Sequence, residues 1–301
     1  MRIGVDLGGT KIEAIALTSD GAVFDRKRVA TPRNDYRGTI RAIVELVDTL
    51  EDEIGERASV GIGTPGAISP ATGMVKNSNS GWLNGKPLAE DLTARLDRPL
   101  RFANDADCFA LSETRDGAAA GARTVFGVIL GTGVGGGIVV DGRILTGPNA
   151  IGGEWGHNPL PWPATGEWPG PSCYCGRTGC IERFLSGPGM AREFREATGE
   201  TLAPPEIAAR ALGGDAAAEA CLARFEERLA RGLAAVINLL DPDVIVLGGG
   251  LSNLERVYAA VPASWARWVF SDRVDTRLVP PAHGDSSGVR GAACLWPASR
   301  G

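Results

Sequence analysis

Gly4-Val-Asp-Leu-Gly-Gly-Thr10 is repeated about 120 residues later as Gly127-Val-Ile-Leu-Gly-Thr-Gly133. In each copy a short apolar run ends in glycines, a second apolar run follows, and an Asp-Gly pair comes next, at 20–21 and at 141–142. An Asp-Gly pair between two apolar runs is typical of a tight turn between antiparallel strands. Two strand–turn–strand units of one design predict an internal duplication, with two related α/β domains that face each other across a cleft.

Alternating strands and helices are predicted around these units. Apolar residues at Ile40, Ile43 and Val47 recur at helical spacing, which predicts an amphipathic helix over 36–54. A long helix over 216–240 is expected to stop at Asp241-Pro242, because proline cannot continue a helix. Strands are predicted over 2–7, 11–17, 22–30, 60–63, 100–103 and 243–247, and further helices over 88–96, 106–117, 254–268 and 289–295.

The length of 301 residues is enough for two domains. We expect residues 1–118, completed by 289–301, to form a small α/β domain, and residues 119–288 to form a large one. The segment 159–171 is rich in proline and tryptophan, and is predicted to be an ordered but irregular loop.

The composition excludes several classes of function. A net charge of -5 provides no basic surface for nucleic acid or an anionic membrane. No apolar run approaches the roughly 20 residues that are needed to span a bilayer. Asp6 stands where a signal peptide would need its apolar stretch, so we expect a cytoplasmic protein.

The two glycine-rich loops are candidate phosphate sites. Glycine N–H groups can approach a phosphate closely, in the first copy at Gly8 and Gly9 and in the second over Gly131–Gly137. Thr10 adds a hydroxyl donor, whereas Asp6 is anionic and is expected to hold Mg²⁺ or its waters. Neither loop has the spacing of a P-loop or of a dinucleotide-binding fingerprint. A simple hairpin turn remains the alternative for each loop taken alone.

Asp105 follows directly on the predicted strand 100–103. A carboxylate at this strand–helix junction can be a helix N-cap. It can also be a general base, because phosphoryl transfer to an alcohol needs a group that orients and deprotonates the hydroxyl.

A third glycine run, Gly248-Gly249-Gly250, ends the predicted strand 243–247. Bare backbone at a strand end lets a flat ring lie against it, so Gly249 and Gly250 are candidates for an adenine site. A C-terminal turn is the equally simple reading of the same residues.

Three cysteines, Cys173, Cys175 and Cys180, lie within eight residues, and one of only two histidines, His157, precedes them. Three thiolates and one imidazole complete a tetrahedral Zn²⁺ shell with no open position. A closed shell predicts a structural metal and argues against a zinc-dependent hydrolase. It would hold the neighbouring Glu154 and Glu182 rigidly.

These motifs, in this order, resemble those of the ROK family of bacterial sugar kinases and repressors. The most specific part is Cys173-x-Cys175-Gly-x-x-Gly-Cys180-x-Glu182, preceded by Glu154-x-x-His157. The resemblance covers essentially the whole chain, and it implies the duplicated actin-like (ribonuclease H-like) α/β fold with an active-site cleft between two domains. ROK repressors carry an N-terminal helix-turn-helix domain. Because the first phosphate loop here begins at Asp6, the resemblance leads us to expect a kinase.

The resemblance also implies roles for individual residues. It makes Asp105 the catalytic base, and it implies ATP with Mg²⁺, a structural Zn²⁺, a hexose substrate and a homodimer. His157 is then expected to bind zinc through one ring nitrogen and sugar through the other. The implied sets are Asp6, Gly8, Gly9, Thr10 and Lys11 with Gly131, Thr132, Gly133 and Gly135 for phosphate; Asn79, Asn104, Asp105, Glu154, His157 and Glu182 for sugar; and His157, Cys173, Cys175 and Cys180 for zinc.

Within the family, three stretches look like bacterial fructokinase: 75–85 around Trp82, 154–162 around Trp155, and 283–293. This resemblance predicts transfer of the ATP γ-phosphate to the 6-hydroxyl of fructose, with mannose and glucose as further candidate acceptors. The enzyme alternative is an N-acetylglucosamine or N-acetylmannosamine kinase, and the alternative outside enzymes is a sugar sensor without catalysis.

Overall fold

The computed structural model describes residues 1–297, in two compact units. One unit contains residues 1–121, 137–152 and 282–297, and the other contains 122–136 and 153–281. The domain limits expected from the sequence stay a prediction, and their last four residues lie outside the described part. Among the described helices, none is long and apolar enough to cross a bilayer.

The elements alternate along the chain as predicted. The strands are β1 (Arg2–Leu7), β2 (Lys11–Leu17), β3 (Val23–Ala30), β4 (Ser59–Thr64), β5 (Ala67–Ile68), β6 (Val75–Lys76), β7 (Leu100–Asn104), β8 (Thr124–Leu130), β9 (Val134–Val140), β10 (Arg143–Ile144), β11 (Val244–Gly248) and β12 (Arg277–Val279). The α-helices are α1 (Tyr36–Ile54), α2 (Leu88–Leu96), α3 (Asp105–Arg115), α4 (Ile181–Leu185), α5 (Gly187–Thr198), α6 (Pro204–Leu212), α7 (Ala216–Leu240), α8 (Val257–Trp265) and α9 (Ser287–Cys294).

Three predicted helices have different limits, and the one expected over 289–295 runs from Ser287 to Cys294. The helix expected over 254–268 is shorter and covers Val257–Trp265, after a separate 3₁₀ turn at Gly250–Asn253. The helix expected over 106–117 begins one residue earlier, at Asp105, and ends at Arg115. Helices α4, α5 and α6 and strand β12 were not predicted from the sequence.

The first sheet has the strand order β3-β2-β1-β4-β7. Strands β1, β2 and β3 are antiparallel neighbours, and β4 and β7 continue the sheet in parallel with β1. Ile3 and Val5 point to the side on which α1 packs, and α1 buries Ile43 and Val47 in the same apolar cluster. The alternation of side chains along a strand sends Gly4 to the opposite face.

Helix α9 packs on that opposite face at very short range. A Cβ atom on Gly4 would lie 2.1 Å from the carbonyl oxygen of Val289, and one on Gly291 would lie 1.7 Å from that of Cys108 in α3. Real Cβ atoms do not approach this closely, so both positions require glycine. The bare backbone lets α9 lie against β1 and α3 without an intervening layer of side chains.

The second sheet has the order β10-β9-β8-β11-β12, with β8, β11 and β12 parallel. Taken strand by strand, this order matches β3-β2-β1-β4-β7 of the first sheet. The shared topology confirms the internal duplication that was predicted from the repeated motif. Equivalent glycine loops therefore connect β1 to β2 and β8 to β9.

Candidate functional site

The first glycine loop closes the β1–β2 hairpin. Gly8 donates its backbone N–H to the carbonyl oxygen of Lys11 at 3.0 Å, and the Thr31 hydroxyl donates to the carbonyl oxygen of Gly8 at 2.7 Å. The Arg33 guanidinium donates to the carbonyl oxygen of Gly9 at 3.2 Å. Two of the loop's carbonyl oxygens thus accept hydrogen bonds from residues that follow β3. These bonds hold the loop backbone in place. Thr10 is exposed, as a phosphate ligand would need to be.

Asp6 is the electrostatic centre of the first unit. Burial, together with the negative charges of Asp105 and Glu13, raises its pKa to about 7, against a smaller lowering by Lys11. Glu13 lies opposite Asp6 in the β1–β2 register and is itself paired with Arg28 at 2.6 Å. A carboxylate in such surroundings is stabilised in its charged form by a cation. Its oxygens are the ligands that Mg²⁺ prefers, so Asp6 fits the predicted magnesium role.

Asp105 stands in the first turn of α3, directly after β7. The residue that caps this helix is Asn104, whose side-chain oxygen accepts the N–H of Ala106 at 2.9 Å. The N-cap reading of Asp105 is therefore wrong, since the cap falls one residue earlier. The Asn104 amide also donates to the carbonyl oxygen of Gly66 at 3.1 Å. These two bonds fix the strand–helix junction and with it the position of the Asp105 backbone.

The predicted sugar ligand Asn79 is exposed on the loop after β6. Asn84 closes this loop: its side-chain oxygen accepts the N–H of Ser78 at 2.9 Å, and its amide donates to the carbonyl oxygen of Ser78 at 2.8 Å. This positioning role was not predicted. The recurrence of asparagine within one glycine-rich loop is the only signal in the sequence that points to it.

The second glycine loop is held by Glu182. The Glu182 carboxylate accepts the N–H of Val134 at 3.0 Å, and a Cβ atom on Gly133 would lie 2.7 Å from the same oxygen. The N–H of Gly187 donates to the carbonyl oxygen of Gly131 at 2.8 Å. The structure thus places Glu182 against the loop. Its predicted role toward sugar stays a prediction.

His157, Cys173, Cys175 and Cys180 come together as predicted. Their ligand atoms all lie within 4.8 Å of one another, with Nδ1 of His157 3.6 Å from the Cys173 sulfur and the Cys175 and Cys180 sulfurs 3.6 Å apart. A tetrahedral zinc shell, with bonds of about 2.0–2.3 Å, separates its donors by roughly 3.3–3.8 Å. The donor set and its spacing therefore fit Zn²⁺.

The surroundings of Cys180 keep its thiol protonated, and a bound cation would favour the thiolate. Burial and the neighbouring thiols Cys175 and Cys173 raise the pKa of Cys180 to about 12. Nδ1 of His157 faces the sulfurs, while Nε2 lies 3.0 Å from the Tyr174 hydroxyl. The bond between Nε2 and sugar stays a prediction, and Tyr174 occupies one approach to that nitrogen.

Trp155 anchors the turn that carries Glu154 and His157. Its indole N–H donates to the carbonyl oxygen of Gly135 at 3.0 Å, and its ring meets Phe126 edge to face at 5.7 Å. Glu154 is half-buried at the start of the same 3₁₀ turn. Trp155 therefore links the second glycine loop to the turn that contains His157.

A buried arginine, Arg231 in α7, was missed by the sequence analysis. Its side chain is fully buried, and it bonds both oxygens of Glu167 at 2.8 and 3.0 Å and the carbonyl oxygen of Trp162 at 2.5 Å. Trp162 in turn stacks on Trp268 at 5.3 Å. The loop over 159–171 is thereby fixed just before the first cysteine. Arginine within an otherwise apolar helical stretch was the available signal.

Gly249 and Gly250 follow β11, and Gly250 borders an open cavity of about 860 Å³ within the second unit. A Cβ atom on Gly249 would lie 2.5 Å from the carbonyl oxygen of Leu130, so the backbone passes close to the end of β8. The cavity is lined by Gly131 and Thr132 of the glycine loop, by Gly250, and by parts of α5 and α6. The predicted phosphate loop and the predicted adenine site thus border one cavity.

The family model for the ROK family matches residues 2–299 of this chain. The chain belongs to the ROK family.

An N-acetyl-D-glucosamine kinase from Photobacterium profundum is 42% identical over 299 residues, which cover 98% of this chain and 99% of that protein. Among solved structures, a ROK hexokinase from Thermus thermophilus superimposes with a TM-score of 0.86 at 31% identity, covering 97% of this chain and 96% of that one. A ROK family glucokinase from Streptomyces griseus, in complex with glucose and AMPPNP, has a TM-score of 0.79 at 29% identity and covers 98% of both chains.

These similarities confirm the predicted two-domain, actin-like fold of the ROK sugar kinases. They also confirm the prediction of a ROK sugar kinase, a phosphotransferase with an alcohol acceptor. They do not support fructose as the sugar, since the curated relatives at about 40% identity carry the name of the alternative, N-acetylglucosamine kinase.

Proposed function

We propose that this ROK protein is an ATP-dependent N-acetylglucosamine kinase that phosphorylates the 6-hydroxyl of its sugar. The observation that carries the choice of sugar is the 42% identity, over nearly the full length of both chains, to a kinase named for that substrate. Fructose, which three stretches of the sequence favour, is the second candidate. The homodimer and the cytoplasmic location stay predictions.

Three parts of the chain carry the proposed phosphoryl transfer: Asp105, the two glycine loops and Asp6. Asp105 accepts the proton of the attacking hydroxyl as that oxygen forms a bond to the γ-phosphorus and the bond to ADP breaks. The N–H groups of the two glycine loops bind phosphate oxygens as charge develops on them. Mg²⁺, when bound, neutralises phosphate charge, and Asp6 is the residue that would hold it or its waters.

The zinc cluster has a supporting role in this proposal. His157, Cys173, Cys175 and Cys180 would hold the ion, which pins the segment leading into α4. That segment ends at Glu182, whose carboxylate bonds the second glycine loop at Val134. We therefore expect loss of the metal to loosen both the sugar ligands and the phosphate loop.

A panel of sugars tests the proposed acceptor. ADP release is measured with ATP and N-acetylglucosamine, N-acetylmannosamine, fructose, mannose or glucose, and kcat/KM is compared among them. N-acetylglucosamine should give the highest value. A higher value for fructose would establish the fructokinase alternative, and the absence of turnover with every sugar would favour a sensor without catalysis.

The variant Asp105→Asn tests the proposed base. We expect kcat to fall by roughly 10²–10⁴ while the fold is retained, because general-base catalysis and positioning are lost together. The matched control is Asp97→Asn at the end of α2, where a left-handed backbone suits asparagine and no catalytic role is assigned. Wild-type turnover in a folded Asp105→Asn variant would remove Asp105 from the mechanism.

A further inference from the structure

The cavity beside the second glycine loop is lined mainly by glycines and apolar side chains. Gly131 and Thr132 form one border of it, and Gly250 forms another. If the loop binds phosphate, as the proposed function requires, the nucleoside of the phosphoryl donor occupies this cavity. We infer that the cavity holds the base by shape and apolar contact alone, so that the enzyme accepts nucleoside triphosphates with different bases. This inference rests on the proposed function.

The side chains around the cavity offer few groups that could read a base. Helices α5 and α6 contribute proline, alanine and leucine, including Ala191, Ala208 and Leu212. Among the described residues that line the cavity, none is charged or aromatic, and Thr132 and Asn253 are the only ones with polar side chains. The Asn253 amide already donates to the carbonyl oxygen of Gly250 at 3.3 Å.

Several backbone groups around the cavity are also unable to bind a base, because they are already hydrogen-bonded or have no N–H. Three of the lining residues are prolines, which have no N–H to donate. Ala203 donates its N–H to the Glu206 carboxylate at 2.7 Å, and its carbonyl oxygen accepts the N–H of Ile207 at 3.1 Å. Gly187 donates to the neighbouring glycine loop at 2.8 Å. The N–H groups of Ala203 and Gly187 are therefore already used and are not available to a base edge.

Weak discrimination follows from these surroundings. A site that hydrogen-bonds its ligand rejects an analogue with the wrong groups by about 10⁴–10⁵, whereas an apolar pocket rejects a similar-sized analogue by only about 10–10². We therefore expect kcat/KM for ATP, GTP and ITP to agree within about tenfold. Removal of the base should matter more, and tripolyphosphate should act at least about 10²-fold less well than ATP, because the apolar burial is lost.

The test compares donors at a saturating concentration of the best sugar, and it measures binding of ADP, GDP and IDP by calorimetry in parallel. Similar turnover and similar affinity across the bases support the inference. An ATP preference above about 10²-fold over GTP overturns it and leaves the proposed kinase function intact. Similar binding without phosphorylation of any sugar supports the inference and overturns the proposed function. Absence of nucleotide binding overturns both.

Two substitutions locate the effect. Ala208→Trp fills the cavity and should weaken the binding of ADP, GDP and IDP alike by at least about tenfold, while the affinity for sugar is kept. The control is Ala211→Trp, which lies in the same helix but outside the cavity lining. Asn253→Ala should change the values for ATP and GTP by the same factor. A change of tenfold or more in the ATP-to-GTP ratio of Asn253→Ala would show that this side chain reads the base, and would overturn the inference.

Discussion

Replacement of Asp6 by asparagine should stabilise the protein at alkaline pH while it removes activity. The pKa of Asp6 is raised from 3.8 to about 7, so the folded protein retains a proton there that the unfolded chain has already released. A difference of one unit in the pKa between the folded and unfolded states corresponds to about 1.4 kcal/mol. Because the side chain keeps some contact with solvent, we expect the ionised carboxylate to cost between about 2 and 4 kcal/mol above pH 7.

The sign of the pH dependence is fixed by the direction of the shift. A carboxyl group with a raised pKa in the folded state contributes most to stability at acid pH, and that contribution is lost as the pH rises from about 4 to about 7. Urea unfolding should therefore show Asp6→Asn gaining on the wild type by more at pH 8 than at pH 5. Mg²⁺ at pH 8 should stabilise the wild type and leave Asp6→Asn unchanged.

The exposed carboxylate Asp52 in α1 provides a control with the same change of charge. Asp52→Asn should have the same stability relative to wild type at both pH values. If Asp6→Asn behaves like Asp52→Asn, Asp6 is ionised at no cost in the folded protein. The reasoning from its burial and its neighbours Asp105 and Glu13 would then be refuted.

Three further perturbations follow from the packing and the metal cluster. Cys175→Ser should lower the zinc content, measured by metal analysis, toward zero per chain and raise the KM for sugar; unchanged zinc content and KM would contradict the supporting role of the metal. Arg231→Met should lower the free energy of unfolding by about 2–4 kcal/mol in urea titrations, because Glu167 keeps only Arg228 of its two buried arginine partners. Glu227→Gln removes the half-exposed partner of Arg231 and should cost less than about 1 kcal/mol. Gly291→Ala should cost about 3 kcal/mol or more, because its Cβ meets the backbone of α3, while Gly81→Ala, with open space around it, should be nearly neutral in the same titrations.

Helix α1 shows which part of the fold can be predicted from the sequence. Its limits, 36–54, agree with the prediction because the signals are local. Asp35 caps the first turn by accepting the N–H of Gly38 at 2.8 Å, and Gly55 ends the helix in a left-handed conformation. The apolar spacing between these two residues gives the buried face. Every determinant lies within about twenty residues of the chain.

Helices α5 and α6 show why other elements were missed. Each begins with proline in its first turn, and α5 also begins with glycines, so the sequence there is typical of a loop. Proline is tolerated at these positions because the first N–H groups of a helix have no partner within it. The Ser186 side chain accepts the N–H of Gly189 as the cap of α5, a local signal that the glycines and proline obscured.

The candidate site divides in the same way. The grouping of His157, Cys173, Cys175 and Cys180 was predicted from the sequence, because the three cysteines fall within eight residues. The bond from Glu182 to Val134 joins residues 48 positions apart, and those between Arg231 and Glu167 join residues 64 apart. Nothing in the local sequence specifies such pairs, since they form only after the sheet and α7 have brought the segments together. The sugar is harder still, because the choice among hydroxyl patterns depends on distances finer than motif spacing.

The two copies of the duplicated motif differ at one informative position. In the alignment that pairs Gly4 with Gly127 and Gly8 with Gly131, Asp6 corresponds to Ile129. Both residues are partly buried near the end of the central strand, so the backbone provides the same position twice. The first copy places a carboxylate there with a raised pKa, while the second places an apolar side chain. The duplication thus supplies two glycine loops that suit phosphate, but it supplies a carboxylate at only one of the two equivalent positions. We therefore expect a cation to be bound near Asp6 and Asp105. The second loop is held by Glu182 and borders the apolar cavity, so we expect it to bind the nucleotide.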